Sequence, residues 1–178
     1  LQDLIGEKTL NNTFKSYMEN ARFRQKAPFT TTTEWYDYMK KATPDSLQYY
    51  LEDSFKKITL YSNKVTNTSY KKLAKDKYEV TIEVESSKSY FDGNGKLLSN
   101  GNKPNLLEIA IFDDDTKNKQ GMTVKAPLVI EKVWVQQGKS TFTYIPKKWP
   151  VKAGIDPYNK MIDRIPDDNI KTVEEIAK

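Results

Sequence analysis

In Tyr78-Glu79-Val80-Thr81-Ile82-Glu83-Val84-Glu85, apolar and polar side chains alternate strictly. Successive side chains of a β-strand point to opposite faces of the sheet, so this pattern predicts a strand with one buried and one solvent-facing side. Such alternation is typical of antiparallel sheets. Residues 74–77, just before this stretch, carry Asp76 and predict a turn into the strand.

Further strands are predicted on both sides of this stretch. Alternating or short apolar runs define them at residues 58–73, 107–112, 128–135 and 140–145. Residues 136–139, which contain Gly138, predict a hairpin turn between the last two strands. Five or six short strands at this spacing indicate an antiparallel β-sandwich, to which we assign residues 58–146.

The first 57 residues follow a helical period instead. One apolar stripe is formed by Leu10, Phe14, Tyr17, Met18 and Ala21. Thr33 is the predicted N-cap of a second helix, and Thr43-Pro44 predicts the start of a third. Three short helices offer too little apolar surface for a closed core of their own. The predicted class is therefore α+β: a short N-terminal helical hairpin or bundle remnant (1–57), followed by the antiparallel β-sandwich.

Residues 147–178 form a tail rich in Pro, Lys and Asp. Asp156-Pro157 predicts the start of one short helix, because Asp is a good cap and proline suits the first helical position. Pro166 predicts its end. We expect this tail to pack on the sandwich through the short helix.

The composition limits the catalytic and metal-binding groups that the chain can offer. The 178 residues include no histidine and no cysteine, so the commonest general base, metal ligand and thiol nucleophile are missing. The net charge of +5 comes almost entirely from lysine, since the only arginines are Arg22, Arg24 and Arg164. Scattered lysines favour solvated surfaces over a nucleic-acid interface. No apolar run approaches the roughly 18 residues of a membrane-spanning helix.

Three groups of carboxylates could in principle bind a cation or act in catalysis, but a simpler interpretation is favoured for each. Residues 92–96 start like a calcium loop but place Lys96 at a ligand position, so they predict a turn. Residues 113–115 are three aspartates at a strand end, where a solvated turn is favoured. Glu83, Glu85 and Glu131 would have to pair across a sugar to act as a glycosidase, whereas alternation alone explains Glu83 and Glu85.

Six residues are predicted to form a docking surface. Leu10, Phe14 and Tyr17 belong to the apolar stripe, which we expect to pack against other helices or against a second copy of the chain. The other three are Trp149, Tyr158 and Arg164. Trp149 has lysines and a proline as neighbours, which makes it a poor core residue. Sequence reasoning assigns no catalytic, cofactor-binding or metal-binding residue to the chain.

Two stretches of the helical region are similar to a known family. They are Leu1-Gln2-Asp3-Leu4-Ile5-Gly6-Glu7 and Thr32-Thr33-Glu34-Trp35, with Phe14, Tyr17 and Phe23 between them. They resemble the closing helices of the catalytic domain in gluzincin aminopeptidases, the M-one class of zinc peptidases. This resemblance implies that residues 1–57 are the end of a helical catalytic subdomain.

Other stretches resemble a bacterial subset of that family, in which the peptidase is fused to the membrane segments of an ABC-transporter permease. They are Ala42-Thr43-Pro44-Asp45-Ser46-Leu47-Gln48-Tyr49, Ile58-Thr59-Leu60-Tyr61 and residues 153–169. The resemblance covers nearly the whole chain, and the β region matches more in pattern than in letters. The family's zinc motif, H-E-x-x-H, has no counterpart here because the chain has no histidine. Zinc is therefore expected in an upstream domain.

The resemblance implies a non-catalytic C-terminal fragment of a membrane-associated zinc aminopeptidase and permease fusion, with a structural or substrate-access role. The expected partners are the upstream zinc domain and, alternatively, a second copy bound through the exposed helix; nucleic acid is not expected. The parent protein is expected in a bacterial membrane, on an undetermined side, with this domain soluble and reaching the membrane only through the parent. The alternative is a stand-alone basic β-sandwich that binds peptide, glycan or single-stranded nucleic acid.

Overall fold

A computed structural model describes residues 1–113, 116–117, 123–124 and 127–176, with the backbone alone for 116–117 and 123–124. The predicted α+β class is confirmed, because short helices come first and mostly antiparallel strands follow. The chain divides into two compact units, Leu1–Ile58 and Thr59–Lys178. We call them the helical unit and the sandwich unit. In the described part of the chain, no helix is long and apolar enough to cross a membrane.

The helical unit contains four α-helices, named α1 (Gln2–Ile5), α2 (Glu7–Ala21), α3 (Thr32–Ala42) and α4 (Gln48–Phe55). Its buried core is small. Tyr36, Met39 and Leu51 form this core, and Leu1, Leu10 and Trp35 pack against it while partly exposed.

The predicted caps of α3 and α4 were wrong. Thr31, not Thr33, caps α3, because its backbone is extended and its hydroxyl accepts a hydrogen bond from the Glu34 amide at 3.1 Å. Thr43 does not open α4: its hydroxyl donates to the Met39 carbonyl at 2.8 Å, at the end of α3. A short 3-10 turn, Asp45–Leu47, leads into α4 instead.

The sandwich unit contains two main sheets and one small strand pair. Its strands are β1 (Ile58–Ala74), β2 (Lys77–Phe91), β3 (Leu97–Asn100), β4 (Asn105–Phe112), β5 (Thr116–Lys117), β6 (Thr123–Val124), β7 (Pro127–Val135), β8 (Gly138–Tyr144), β9 (Lys152–Ile155), β10 (Ile170–Thr172) and β11 (Glu174–Glu175). The first sheet has the order β11-β1-β2-β3, with β8 also paired to β2. The second has the order β10-β9-β4-β7, and β5 pairs with β6.

The two main sheets share one apolar core. Val80, Ile82 and Val84 of β2 are fully buried, as the alternating pattern predicts, and they cluster with Ile109 and Ile111 of β4 in the other sheet. Burying an aliphatic side chain of this size stabilises a fold by about 1.5–3 kcal/mol. The facing sheets with a common core are the arrangement of a β-sandwich.

The predicted hairpin between the last two strands was wrong. β7 pairs with β4, whereas β8 pairs with β2, so residues 136–137 cross from one sheet to the other. The side chain of Gln137 helps to hold this crossing. It accepts from the Lys88 amide and donates to the Lys103 carbonyl, each at 2.9 Å. Gly138 follows with φ 92°, a value that glycine adopts without strain.

The predicted short helix in the tail was also wrong. Asp156 and Asn159 have φ values of 44° and 51°, which cannot continue a right-handed helix. The residues between β9 and Pro166 form a loop, and within the tail as far as residue 176 only the 3-10 turn Pro166–Asp168 is helical. The tail instead supplies β9 and β10 to one sheet and β11 to the other.

Candidate docking surface

An aromatic cluster lies on the outside of the small core of the helical unit. The ring of Trp35 lies 6.3 Å from that of Phe14 and 5.1 Å from that of Phe55, measured between centroids. Tyr36 meets the same Phe55 ring edge-on at 6.2 Å. Contacts of this geometry add about 0.5–1.5 kcal/mol per pair beyond the area that they bury. The cluster therefore fixes α3 and α4 while leaving Phe14 and Phe55 partly open to solvent.

Large apolar side chains remain exposed in the helical unit. Six of them are more than a third exposed: Phe14, Met18, Phe23, Phe29, Phe55 and Ile58. Phe23 is the extreme case at 88% exposed, and Met18 follows the predicted stripe on α2 at 59%. Within 58 residues this is a large amount of uncovered apolar surface, which is a feature of interaction sites. We call these six residues the apolar face.

Charged contacts hold the ends of the helices beside the apolar face. Arg24 binds the Glu34 carboxylate through two hydrogen bonds of 2.8 and 2.9 Å, and this contact lowers the pKa of Glu34. On α4, Glu52 accepts from Tyr36 and from Lys56, each at 2.9 Å. The hydrogen bond from Lys56 is the main reason why the pKa of Glu52 lies below its usual range. Burial raises the pKa of Tyr36.

The aromatic cluster borders an open pocket of about 280 Å³. Trp35, Tyr36 and Phe55 form its apolar lining, whereas Asp37, Lys40 and Lys56 contribute charges of both signs. An aromatic wall beside charged side chains suits the insertion of a side chain from another protein surface.

Three of the six predicted docking residues belong to the helical unit and three to the sandwich unit. In the helical unit, Leu10 packs on the core, Phe14 belongs to the apolar face, and Tyr17 meets the Tyr38 ring at 5.6 Å. The other three lie in the sandwich unit, where each contacts a different neighbour.

Trp149 and Arg164 lie at opposite ends of the β1 and β2 pair. The Trp149 ring lies 6.0 Å from Tyr70, near the turn that joins the two strands. The Arg164 guanidinium lies 5.2 Å from the Phe91 ring, at the other end of β2. Tyr158 packs on Phe112 of the second sheet, at 6.4 Å. These three residues therefore mark three separate regions of the sandwich unit.

Asp92, Asp113 and Glu85, three of the candidate carboxylates, form local contacts. One Asp92 oxygen accepts from the amides of Asn94 and Lys96, at 2.9 and 2.8 Å, so the predicted turn is confirmed. Asp113 lies 3.6 Å from Lys148, and Glu85 lies 3.1 Å from Lys64. The other two aspartates of the triplet, 114 and 115, lie outside the described residues. Among the residues that are described, no group of three or more acidic side chains is arranged to hold a metal ion.

Sequence reasoning missed a buried polar cluster at one end of the sandwich core. Lys88 is 1% exposed, and its ammonium donates to the Asn105 side chain at 2.9 Å. Beside it, Ser86 donates to the buried Asn63 side chain at 2.7 Å. A Cβ atom at Gly101 would come within 2.7 Å of the Lys88 side chain, so the backbone closes over this lysine. Ser86 and Lys88 occupy the alternate positions of β2 that point into the core, after Val80, Ile82 and Val84. This alternation in the sequence could have predicted that both side chains are buried.

A second buried network joins the tail to β4. The ammonium of Lys160 lies 2.6 Å from the carboxylate of Glu108, which is 8% exposed. Asp156, which is 2% exposed, accepts hydrogen bonds from the amides of Lys160 and Met161 at 2.9 and 3.0 Å. These contacts stabilise the loop that was expected to be helical. Burial is the largest influence on Asp156 and raises its pKa, although the two amides oppose the shift.

Asp156→Asn is expected to change the pH dependence of stability. The folded state binds the Asp156 proton more tightly than the unfolded chain, because burial raises the pKa of this carboxyl. The protonated carboxyl therefore contributes stability at acidic pH, and this contribution is lost as the pH rises through the raised pKa. We expect the stability advantage of the wild type over Asp156→Asn to shrink from pH 3.5 to pH 7 in urea unfolding. An advantage that stays constant or grows would contradict this account of Asp156. Asp76→Asn, at an exposed residue with a similar φ of 55°, controls for the effect of asparagine on such a backbone.

No match to a known family accompanies this geometry. A comparison with protein-family models found no matching family, and a comparison with curated proteins found no significant match.

Proposed function

We propose that this chain is a non-catalytic part of a membrane-associated zinc aminopeptidase of the gluzincin class, of the kind fused to an ABC-transporter permease. In this proposal the helical unit docks on the zinc domain of the same polypeptide. The sandwich unit supports that domain or limits the access of substrate to it. Zinc and its ligands belong to the zinc domain, so this chain itself hydrolyses no peptide bond.

The apolar face is the observation that supports the proposal best. The helical unit has a core cluster of three buried residues, yet it leaves six large apolar side chains more than a third exposed. Covering such surface stabilises a complex by roughly 25 cal/mol for each Å² removed from water. A helical zinc domain would provide that cover in the way that neighbouring helices of one domain do.

The test is binding between this chain and the zinc domain of the parent, produced as a separate polypeptide. We expect a one-to-one complex in isothermal titration calorimetry. Met18→Gln and Phe23→Asn, which change the exposed stripe and the most exposed phenylalanine, should each weaken binding about tenfold, because each removes roughly 1.4 kcal/mol or more of apolar burial. Asn12→Ser is the control, since Asn12 is exposed on α2 outside the apolar stripe. Absence of a complex, or equal binding by all variants, would refute the proposed docking.

Two measurements on the chain alone bear on the same proposal. Stoichiometric zinc in the purified chain, or release of amino acids from a peptide, would contradict a non-catalytic role. Pairing of two copies through the apolar face is the alternative use of this surface. Sedimentation velocity separates the two, because Met18→Gln should convert such a dimer into a monomer.

A stand-alone binding module is the second candidate function. The observation that favours it is Trp149, which is 60% exposed and has Lys147 and Lys148 beside it. Exposed aromatic rings next to positive charge bind bases and sugars by stacking. Quenching of Trp149 fluorescence by an oligonucleotide or an oligosaccharide would favour this candidate.

A further inference from the structure

The tip of the β1 and β2 hairpin carries a dense group of lysines. Every residue from 71 to 77 is exposed, and four of these seven are lysines. Lys147 and Lys148 lie close to the same tip, because the preceding Pro146 accepts a hydrogen bond from the Tyr78 amide at 3.3 Å. The six lysines of this basic tip are Lys71, Lys72, Lys75, Lys77, Lys147 and Lys148. Asp76 is the one carboxylate within these two segments. Their net charge is therefore five, equal to the formal net charge of the whole chain.

Apolar side chains project from the same end of the sandwich unit. Trp149 is 60% exposed, with one side of its ring on Tyr70 and Tyr78 at 6.0 and 6.4 Å. Leu73, in the middle of the lysines, is 46% exposed. Ile176 is 53% exposed, and its amide donates to the Tyr70 carbonyl at 3.0 Å. The basic tip thus combines positive charge with an exposed indole and two exposed aliphatic side chains.

Among the described residues, carboxylates border the tip at Asp113, at Glu79 of β2, and at Glu174 and Glu175 of β11, which pairs with Ser69 and Tyr70 of β1. Asp113 lies 3.6 Å from Lys148, and Glu175 forms a hydrogen bond with the hydroxyl of Tyr70. These carboxylates lie beside the tip, and none of them belongs to residues 71–77 or 147–148. The exposed lysines of residues 71–77 therefore present a positive surface to any anionic partner.

We propose that the basic tip binds the surface of an anionic lipid membrane, with Trp149 and Leu73 at the level of the headgroups. Tryptophan is enriched at membrane interfaces because its ring is apolar and its N–H is polar. Lysines near an anionic leaflet each strengthen binding, and the contributions accumulate over a cluster of four to eight. Trp149, Leu73 and Ile176 supply the apolar part and the six lysines supply the attraction. Positive charge together with exposed apolar side chains matches an anionic membrane surface.

The composition of the tip favours lipid over single-stranded nucleic acid. Proteins that bind single strands stack successive bases on several open aromatic rings. Here the rings of Tyr70 and Tyr78 are 5% and 7% exposed, which leaves Trp149 as the accessible ring of this trio. Leu73 and Ile176 offer nothing to a base, whereas they pack well among acyl chains. This direct contact goes beyond the expectation that the chain reaches a membrane only through its parent, and it does not depend on the peptidase relationship.

The test is flotation of the purified chain with lipid vesicles. We expect binding to vesicles of 70% phosphatidylcholine and 30% phosphatidylserine, no binding to pure phosphatidylcholine, and weaker binding as salt rises. Lys71→Gln with Lys72→Gln should lower the partition coefficient about thirtyfold, since each lysine near the surface is worth roughly fivefold. Lys8→Gln with Lys26→Gln, two exposed lysines of the helical unit, changes the net charge equally and should leave binding unchanged.

A spectroscopic readout tests the role of Trp149 without reference to charge. Tryptophan emission should shift to shorter wavelength on vesicle binding, and Trp149→Phe should abolish the shift. Lys147→Gln with Lys148→Gln provides a second charge variant if the first fails to fold by circular dichroism. Absence of binding to the anionic vesicles at low salt would overturn the proposal. Equal losses from the Lys8 and Lys71 pairs would also overturn it, and so would tighter, Trp149-dependent binding to an oligonucleotide.

Discussion

Gly154→Val is expected to lower the free energy of unfolding of the sandwich unit by about 3 kcal/mol. A Cβ atom at Gly154 would lie 2.6 Å from the carbonyl oxygen of Asn169 and 2.8 Å from a side-chain carbon of Ile170. The nearer atom belongs to the backbone, so it cannot turn away as a flexible side chain would. Strand β10 would have to move, and the hydrogen bond from the Ile155 amide to the Asn169 carbonyl, 2.9 Å long, would be lost.

Gly93→Val is the matched control for this substitution. Gly93 lies in the turn between β2 and β3, where a Cβ atom would meet nothing within 4 Å. Its φ lies outside the left-handed region, so a side chain adds no strain. We expect this variant to stay within about 0.5 kcal/mol of the wild type in urea unfolding followed by tryptophan fluorescence. Equal stability of the two variants would show that β10 does not lie against Gly154.

Five strands of the sandwich, β1, β2, β4, β7 and β8, could be predicted from the sequence because their signal is local, whereas the shorter strands were missed. In β2, the alternation of Val80, Ile82 and Val84 with polar residues needs no partner to be recognised, and all three side chains are buried. The turn at residues 92–96 was equally local, because Asp92 caps the two amides that follow it within four residues. Three of the four helices, α2 to α4, were also predicted, although the caps of α3 and α4 were misplaced.

The pairing of strands could not be predicted in the same way. β7 and β8 follow each other with two residues between them, which favours a hairpin, yet they pair with β4 and β2 in different sheets. Their choice of partner depends on contacts between residues far apart in the chain. The tail shows the same limit. The expected helix of the tail depended on a cap and a proline, whereas burial of Asp156 and the contact of Lys160 with Glu108 select a loop.

The sequence predicted which side of α2 is apolar, but not the exposed apolar residues outside that helix. The predicted stripe includes Phe14 and Met18, which are 39% and 59% exposed. Phe23 and Phe29, the most exposed apolar residues of the helical unit, lie beyond α2 in a connecting segment without a period. The exposure of these two side chains depends on the path of the segment between α2 and α3, and no local sequence pattern predicts that path. The basic tip was visible as lysines in the sequence, but its position beside Trp149 required the fold.

Ile109→Ala is expected to have an effect of similar size, about 3–4 kcal/mol of destabilisation. Ile109 is fully buried in β4, which is paired on both sides, with Glu131 of β7 and Ile155 of β9 opposite it. Its side chain belongs to the core cluster that both sheets share, so truncation leaves a cavity that neither sheet can close alone. Ile130→Ala is the matched control, because Ile130 lies in the neighbouring β7 and is 45% exposed.

The control should cost less than about 1 kcal/mol in the same urea unfolding experiment. The comparison separates burial in the shared core from the general effect of removing a β-branched residue from a strand. If both variants lose the same stability, Ile109 is not buried at the centre of a core shared by the two sheets. A well-packed sandwich requires that only Ile109→Ala loses stability. The slope of the free energy of unfolding against urea concentration should stay unchanged, because truncation removes contacts without altering the surface exposed on unfolding.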